Sequence, residues 1–231
     1  MRSIIDRLLI ALLSVIMVGA SAQDKAKIWT DWSMKDVENV LDYSPWGQTI
    51  VSTDLPNVPL SGKDLGVRFH PNADIRVRFV SAKPIRQALL RMMELNPSKY
   101  LPEEIAKARE FANLKYDRTI VVGLGEGRFP GSGSESFLSL YRDLMASRDL
   151  SANLKSIYLE VKGGKRVSLQ EYQPPTQDGL GMKLVFPRFI DGRPVIDPQA
   201  GEVRFHALFL NLNINIRFKI SDFMYNGVLE Y

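Results

Sequence analysis

Apolar residues recur at helical spacing in the first two thirds of the chain and at alternating spacing in the last third. Ser33 caps a predicted helix that carries Met34, Val37, Val40 and Leu41 on one face, and Ser44-Pro45-Trp46-Gly47 stops it. Thr53 to Gly66 reads as a surface loop rich in Pro, Gly and Asp. In Ile75-Arg76-Val77-Arg78-Phe79-Val80, Ile75, Val77 and Phe79 share one parity and both arginines the other, predicting a strand buried on one side with the arginines solvated. Pro84 suits the first turn of a helix with Ile85, Ala88, Leu89 and Met92 inward, ending near Leu95. A second helix starts at Pro102-Glu103-Glu104 and turns Ile105, Ala108, Phe111, Ala112 and Leu114 inward. Thr119 to Gly123 predicts a short buried strand. A helix is then expected over 133–147, with Ser132 and Glu135 as its capping box and Phe137, Leu140, Tyr141 and Leu144 as its stripe.

Past Leu154 the pattern turns to strands. Lys162-Gly163-Gly164-Lys165 joins two of them as a hairpin, and further strands fall at Met182–Phe186, Glu202–Leu210, Asn213–Ile220 and Val228–Tyr231. Leu208, Leu210, Leu212, Ile214, Ile216, Phe218 and Ile220 keep one parity, with a bend expected around Asn211–Asn213. Helices first and strands last predict an α+β fold, N-terminal helices packed on a mainly antiparallel sheet supplied largely by the C-terminal third. The linker at Pro174-Pro175-Thr176-Gln177-Asp178-Gly179 is too short to separate domains, so residues 23–231 read as one.

Residues 1–22 read as a signal peptide. Arg2 and Arg7 precede the apolar run Leu8 to Val18, which is shorter than the roughly 20 residues a spanning helix needs. Ala20-Ser21-Ala22 then offers a cleavage site before Gln23. Export to the periplasm or the cell exterior follows, with no membrane span after cleavage. Net charge falls from +4 to +3 on loss of Arg2, Arg7 and Asp6, too little to predict a nucleic-acid partner. With no cysteine among 231 residues, disulfides, thiolate nucleophiles and zinc ribbons are excluded. Export also argues against nucleotide cofactors, and none is expected.

Candidate chemistry is sparse. The segment from Gly123 to Ser134 links a strand to a helix, where backbone N–H groups can hold an anion, and Gly125, Glu126, Gly127, Arg128, Ser132 and Ser134 are its candidate ligand residues. It lacks the Gly-Lys-Ser/Thr of a phosphate loop, and Arg128 replaces the last glycine of a dinucleotide fingerprint. Trp29, Trp32 and Trp46 gather near the mature N-terminus, able either to stack on sugars or to tie the first helix to the body. His70 and His206 lack partners at metal-ligand spacing, and Asp191 to Glu202 fails as a calcium loop at Arg193, Val195 and Ile196. No metal site and no catalytic set is predicted. Arg76, Arg78, Lys83 and Arg86 read as solvated charge.

Three segments carry a resemblance: Trp29-Thr30-Asp31-Trp32-Ser33 leading to Ser44-Pro45-Trp46, then Ser81-Ala82-Lys83-Pro84-Ile85-Arg86-Gln87-Ala88, then Gly227-Val228-Leu229-Glu230-Tyr231. Together they resemble an uncharacterised family of exported acidobacterial proteins, which implies export and attaches no activity. The expected function is binding, to another envelope protein or within a surface assembly. The alternative is a secreted hydrolase of saccharides or peptides, with the Glu126–Ser136 loop bordering its site and the tryptophan cluster contacting the substrate.

Overall fold

The computed structural model describes residues 27–51, 74–126, 154–176, 178–209 and 212–231. The first half supplies α1 (Met34–Asp42), β1 (Tyr43–Ser44), β2 (Gly47–Val51), β3 (Asp74–Phe79), α2 (Lys83–Leu95), α3 (Pro102–Asn113) and β4 (Thr119–Glu126). The remainder supplies β5 (Ile157–Val161), β6 (Lys165–Ser168), β7 (Glu171–Gln173), β8 (Met182–Pro187), β9 (Phe189–Ile190), β10 (Arg193–Pro194), β11 (Glu202–Phe209), β12 (Leu212–Lys219), β13 (Met224–Tyr225) and β14 (Val228–Leu229). The expected loop at 53–66 and helix at 133–147 lie outside the described residues, as does the proposed signal peptide.

The α+β class is as expected, and every strand pair among the described residues is antiparallel. A first sheet runs β1-β2-β3-β4-β8-β7, and a second, of four strands, runs β12-β11-β5-β6. Ile120 opposite Phe186, Val122 opposite Leu184 and Leu124 opposite Met182 line the fully buried face of the first sheet. The second sheet meets that face, with the Phe79 ring 4.9 Å from Phe218 and 5.1 Å from Phe223. Aromatic rings packed edge-on in this way contribute beyond the area they bury.

The helices cover the other face, and here one expectation is corrected. Arg76 and Arg78 are only 3% and 6% exposed, so β3 is buried on both sides. The reason is α1, whose Ser33–Asp36 capping box starts it above this face. Lys27 and Ser33 hold the Asp36 carboxyl well below the usual carboxylate range. At its other end Asp42 Oδ1 lies 2.8 Å from Arg76 Nε and 2.6 Å from Arg78 Nη2. Arg78 Nε also donates to the Leu41 carbonyl at 2.9 Å, where the helix dipole favours a cation. Burial pushes the Arg78 guanidinium down from its ordinary pKa, and Asp42 opposes that shift. Lys83 is half-buried and Arg86 buried, so the expectation of solvated charge fails at Arg86 as well.

Two smaller expectations also change. Register pairs Phe205 with Ile216 and Ala207 with Ile214, so the buried parity is odd in β11 and even in β12. A reversal between Phe209 and Leu212 flips parity, and Leu208 therefore falls on the outer face, 43% exposed. Leu114 is exposed because α3 ends at Asn113, before the stripe reaches it.

α2 is buried along Pro84 to Leu90, between sheet, α1 and α3. Both of its buried polar side chains are hydrogen-bonded, although Arg86 Nε has no hydrogen-bond partner among the described residues. Arg86 donates to the carbonyls of Ser81 and, at 2.7 Å, Leu114, and Gln87 accepts from the Tyr225 hydroxyl at 2.7 Å. No side chain of Ala82 can cap α2. Glu230, far along the chain, accepts from the Lys83 N–H at 3.0 Å instead.

Candidate functional site

Gly123 and Gly125 sit inside β4 rather than in a loop, and the reason is a close crossing. A Cβ on Gly123 would lie 2.8 Å from the Leu180 carbonyl, and one on Gly125 would press on Gly181 Cα at 3.4 Å. Gly181 itself has φ +73°, and a Cβ there would lie 2.1 Å from the Leu124 carbonyl. Gly181→Ala is therefore expected to lose more than about 1 kcal/mol, the cost of strain at a positive φ plus the displaced crossing. Urea unfolding reads it; a change within experimental error would mean the crossing is looser than drawn.

This crossing borders an apolar groove between the helices and the β4-β8-β7 half of the first sheet, with a volume of about 580 Å³. Its floor is Val121 and Val185, which pair across β4 and β8 and so point to the same face. α2 supplies Leu89, Met92 and Met93, and α3 supplies Ala108 and Phe111 one helical step apart. Glu171 and Gln173 of the edge strand β7 form the opposite wall, tied by a 2.8 Å hydrogen bond. At one end Lys183 Nζ lies 2.6 Å from Asp178 and donates to Thr176 Oγ1 at 3.2 Å.

Tyrosines Tyr100 and Tyr116 also line the groove. Burial raises the pKa of both hydroxyls, with Glu104 adding to the effect at Tyr100 and Arg86 opposing it at Tyr116. The Arg86 guanidinium lies 4.9 Å from the Tyr116 ring centre, and Phe111 meets that ring edge-on at 6.5 Å. Both tyrosines are thus neutral donors at neutral pH. An apolar trough with two phenols and charged rims suits binding of an apolar surface fringed by polar groups. A second hollow of about 610 Å³ lies near Asp191, Arg193 and Asp197, with Val161, Val167, Ile190 and Val195 also in its lining.

The sequence-predicted site residues do not converge on this groove. Gly125 is a half-buried strand residue, and Glu126 ends the same strand. Gly127, Arg128, Ser132 and Ser134 lie outside the described residues. Trp32 and Trp46 are 7% and 8% exposed, and their indole N–H groups donate to the carbonyls of Lys27 at 3.2 Å and Glu230 at 2.8 Å. Trp29 packs half-buried against the same core. Two of the three tryptophans therefore anchor the chain and offer no open face to a sugar. His206 stands in β11, and His70 is outside the described residues.

Sequence reading did turn Leu89, Met92, Ala108 and Phe111 inward. It missed Tyr100, Tyr116, Thr119, Gln173 and Lys183, which belong to no periodic stripe and meet only through the sheet order. Comparison with protein-family models, with curated proteins and with solved structures gives no match.

Proposed function

We propose that this chain is an exported, non-catalytic binding protein of the cell envelope, with the groove over β4, β8 and β7 as its binding site. The observation that supports this reading is the apolar floor of Val121 and Val185 walled by Met92, Met93 and Phe111. Unbranched methionines adapt to the shape of what they cover, a property suited to recognition by contact rather than by chemistry. The rims carry Glu104, Lys107, Glu171, Asp178 and Lys183, charges that orient a partner without supplying an imidazole or an activated nucleophile. The hydrolase alternative rested on the Glu126–Ser136 loop, of which 127–136 lie outside the described residues, and on the tryptophan cluster, of which Trp32 and Trp46 are buried.

The test is site-specific photocrosslinking in intact producing cells, with the probe at Ala108 or Gln173 and a control at Asn215 on the far sheet. Adducts to a distinct envelope protein are expected from the two groove positions and not from the control. They should weaken when Val185→Arg places a charge on the floor. Capture only of this chain's own residues 127–153 would remove the groove as a binding site, and equal capture from Asn215 would do the same. Mass analysis of the same material tests export, which requires a mature chain starting at Gln23.

A further inference from the structure

The outer face of the second sheet carries a charge pattern unrelated to the groove. Cross-strand register places Ser168, Tyr158, His206 and Asn215 in one row from β6 to β12. The adjacent row reads Arg166, Glu160, Arg204 and Arg217, three cations to one carboxylate. Like charges directly opposite across strands destabilise a sheet, and Arg204 faces Arg217. Glu202 relieves that pair, at 2.7 Å from Arg204 Nη2 and 3.0 Å from Arg217 Nε. Glu160 serves Arg204 at 3.8 Å.

His206 sits where a further positive charge has little to answer it. Its imidazole stacks on Tyr158 at 4.6 Å with 18° between planes, and the Arg166 guanidinium lies 4.4 Å from the centre of that same ring. Nε2 is shielded from solvent and makes no hydrogen bond among the described residues, its nearest carboxylate oxygen being Glu160 Oε2 at 3.8 Å. Charging the ring would strip water from an ion and set a cation beside Arg204, with a second, Arg166, beyond Tyr158. Among the described residues the carboxylate nearest His206, Glu160, is already shared with Arg204, and Glu202 is engaged by Arg204 and Arg217.

We infer that this face is an acid-sensitive seam, in which a proton on His206 loosens the β5–β11 pairing and with it the attachment of the β5–β6 hairpin. The groups facing His206 are Tyr158 and Glu160 from β5, Arg166 from β6, Arg204 and Glu202 from its own strand, and Asn215 and Arg217 from β12. Burial holds the His206 pKa below its ordinary value of 6.5, with Glu160 pulling the other way. Between the folded and unfolded values the unfolded chain binds the proton and the folded chain does not. Stability from this group is therefore full above the unfolded value, declines as pH falls through it, and levels off below the folded value.

The experiment is an NMR titration of the full chain, its two histidines told apart by His70→Gln, joined to hydrogen exchange of the Tyr158 and Arg204 amides, which point across the β5–β11 pairing. His206 is expected to titrate below 6.5, and exchange protection at these amides to fall severalfold between pH 7.5 and 5 beyond the intrinsic change. His206→Gln should abolish that fall, and Glu160→Gln should move the titration lower still. A His206 midpoint at or above 6.5, or the same loss of protection in His206→Gln, would overturn the seam. If His206→Gln fails to fold, the titration of the parent chain decides alone.

Discussion

Asp42→Ala is expected to destabilise the fold by about 3–5 kcal/mol, the usual cost of removing one member of a buried ion-pair cluster. Few single changes here should do more, since whole domains are stable by only about 5–15 kcal/mol. Asp42 lies between two buried guanidiniums on β3, so its removal leaves like charges facing one another under α1. Denaturant unfolding at constant slope measures the effect. Replacing all three residues together, as Asp42→Leu with Arg76→Met and Arg78→Met, should recover much of the loss, because an apolar cluster of similar volume needs no compensation. A loss under 1 kcal/mol for Asp42→Ala would show that water reaches the arginines.

Deletion of Glu230 and Tyr231 is expected to lose about 3–5 kcal/mol, summed from one buried aromatic ring and several hydrogen bonds at about 1 kcal/mol each. Tyr231 is buried, and the Arg188 guanidinium lies 3.8 Å from its ring centre while Nη1 donates to its carbonyl at 2.7 Å. Glu230 receives the Trp46 indole N–H on its carbonyl and the Lys83 N–H on its carboxylate. The last residues thus join β2's approach, the start of α2 and the end of β8. Glu230→Gln keeps an acceptor for Lys83 and should lose well under 1 kcal/mol, whereas Glu230→Ala should lose about 1 kcal/mol, the worth of a helix cap. Thermal unfolding of the three variants side by side reads the order; equal losses from deletion and Glu230→Ala would mean that Tyr231 contributes nothing.

Local pattern carried far where its cause was local. Ser33 caps α1, prolines start α2 and α3, and the Lys162–Lys165 turn joins β5 to β6, because capping and turn chemistry depend on neighbours a few positions away. It misjudged Arg76 and Arg78, since alternation reports that two faces differ and not that the polar one is wet. A helix ending in Asp42, more than thirty positions earlier, made that face dry. The glycines of β4 read as a loop for the same reason, because what crosses above them is the chain around Gly181.

By its order of residues alone, this chain settles α1, α2 and α3, the antiparallel character of its described strands, its α+β class and its freedom from cysteine chemistry. Capping, turn preference and periodicity act over short distances and need no knowledge of the fold. Tertiary structure decided that β3 is dry on both faces, that Trp46 is bound to Glu230, and that an apolar groove lies over β4, β8 and β7. Each of these joins residues dozens of positions apart, and burial is a property of what lies opposite a side chain, which no single stretch of sequence contains.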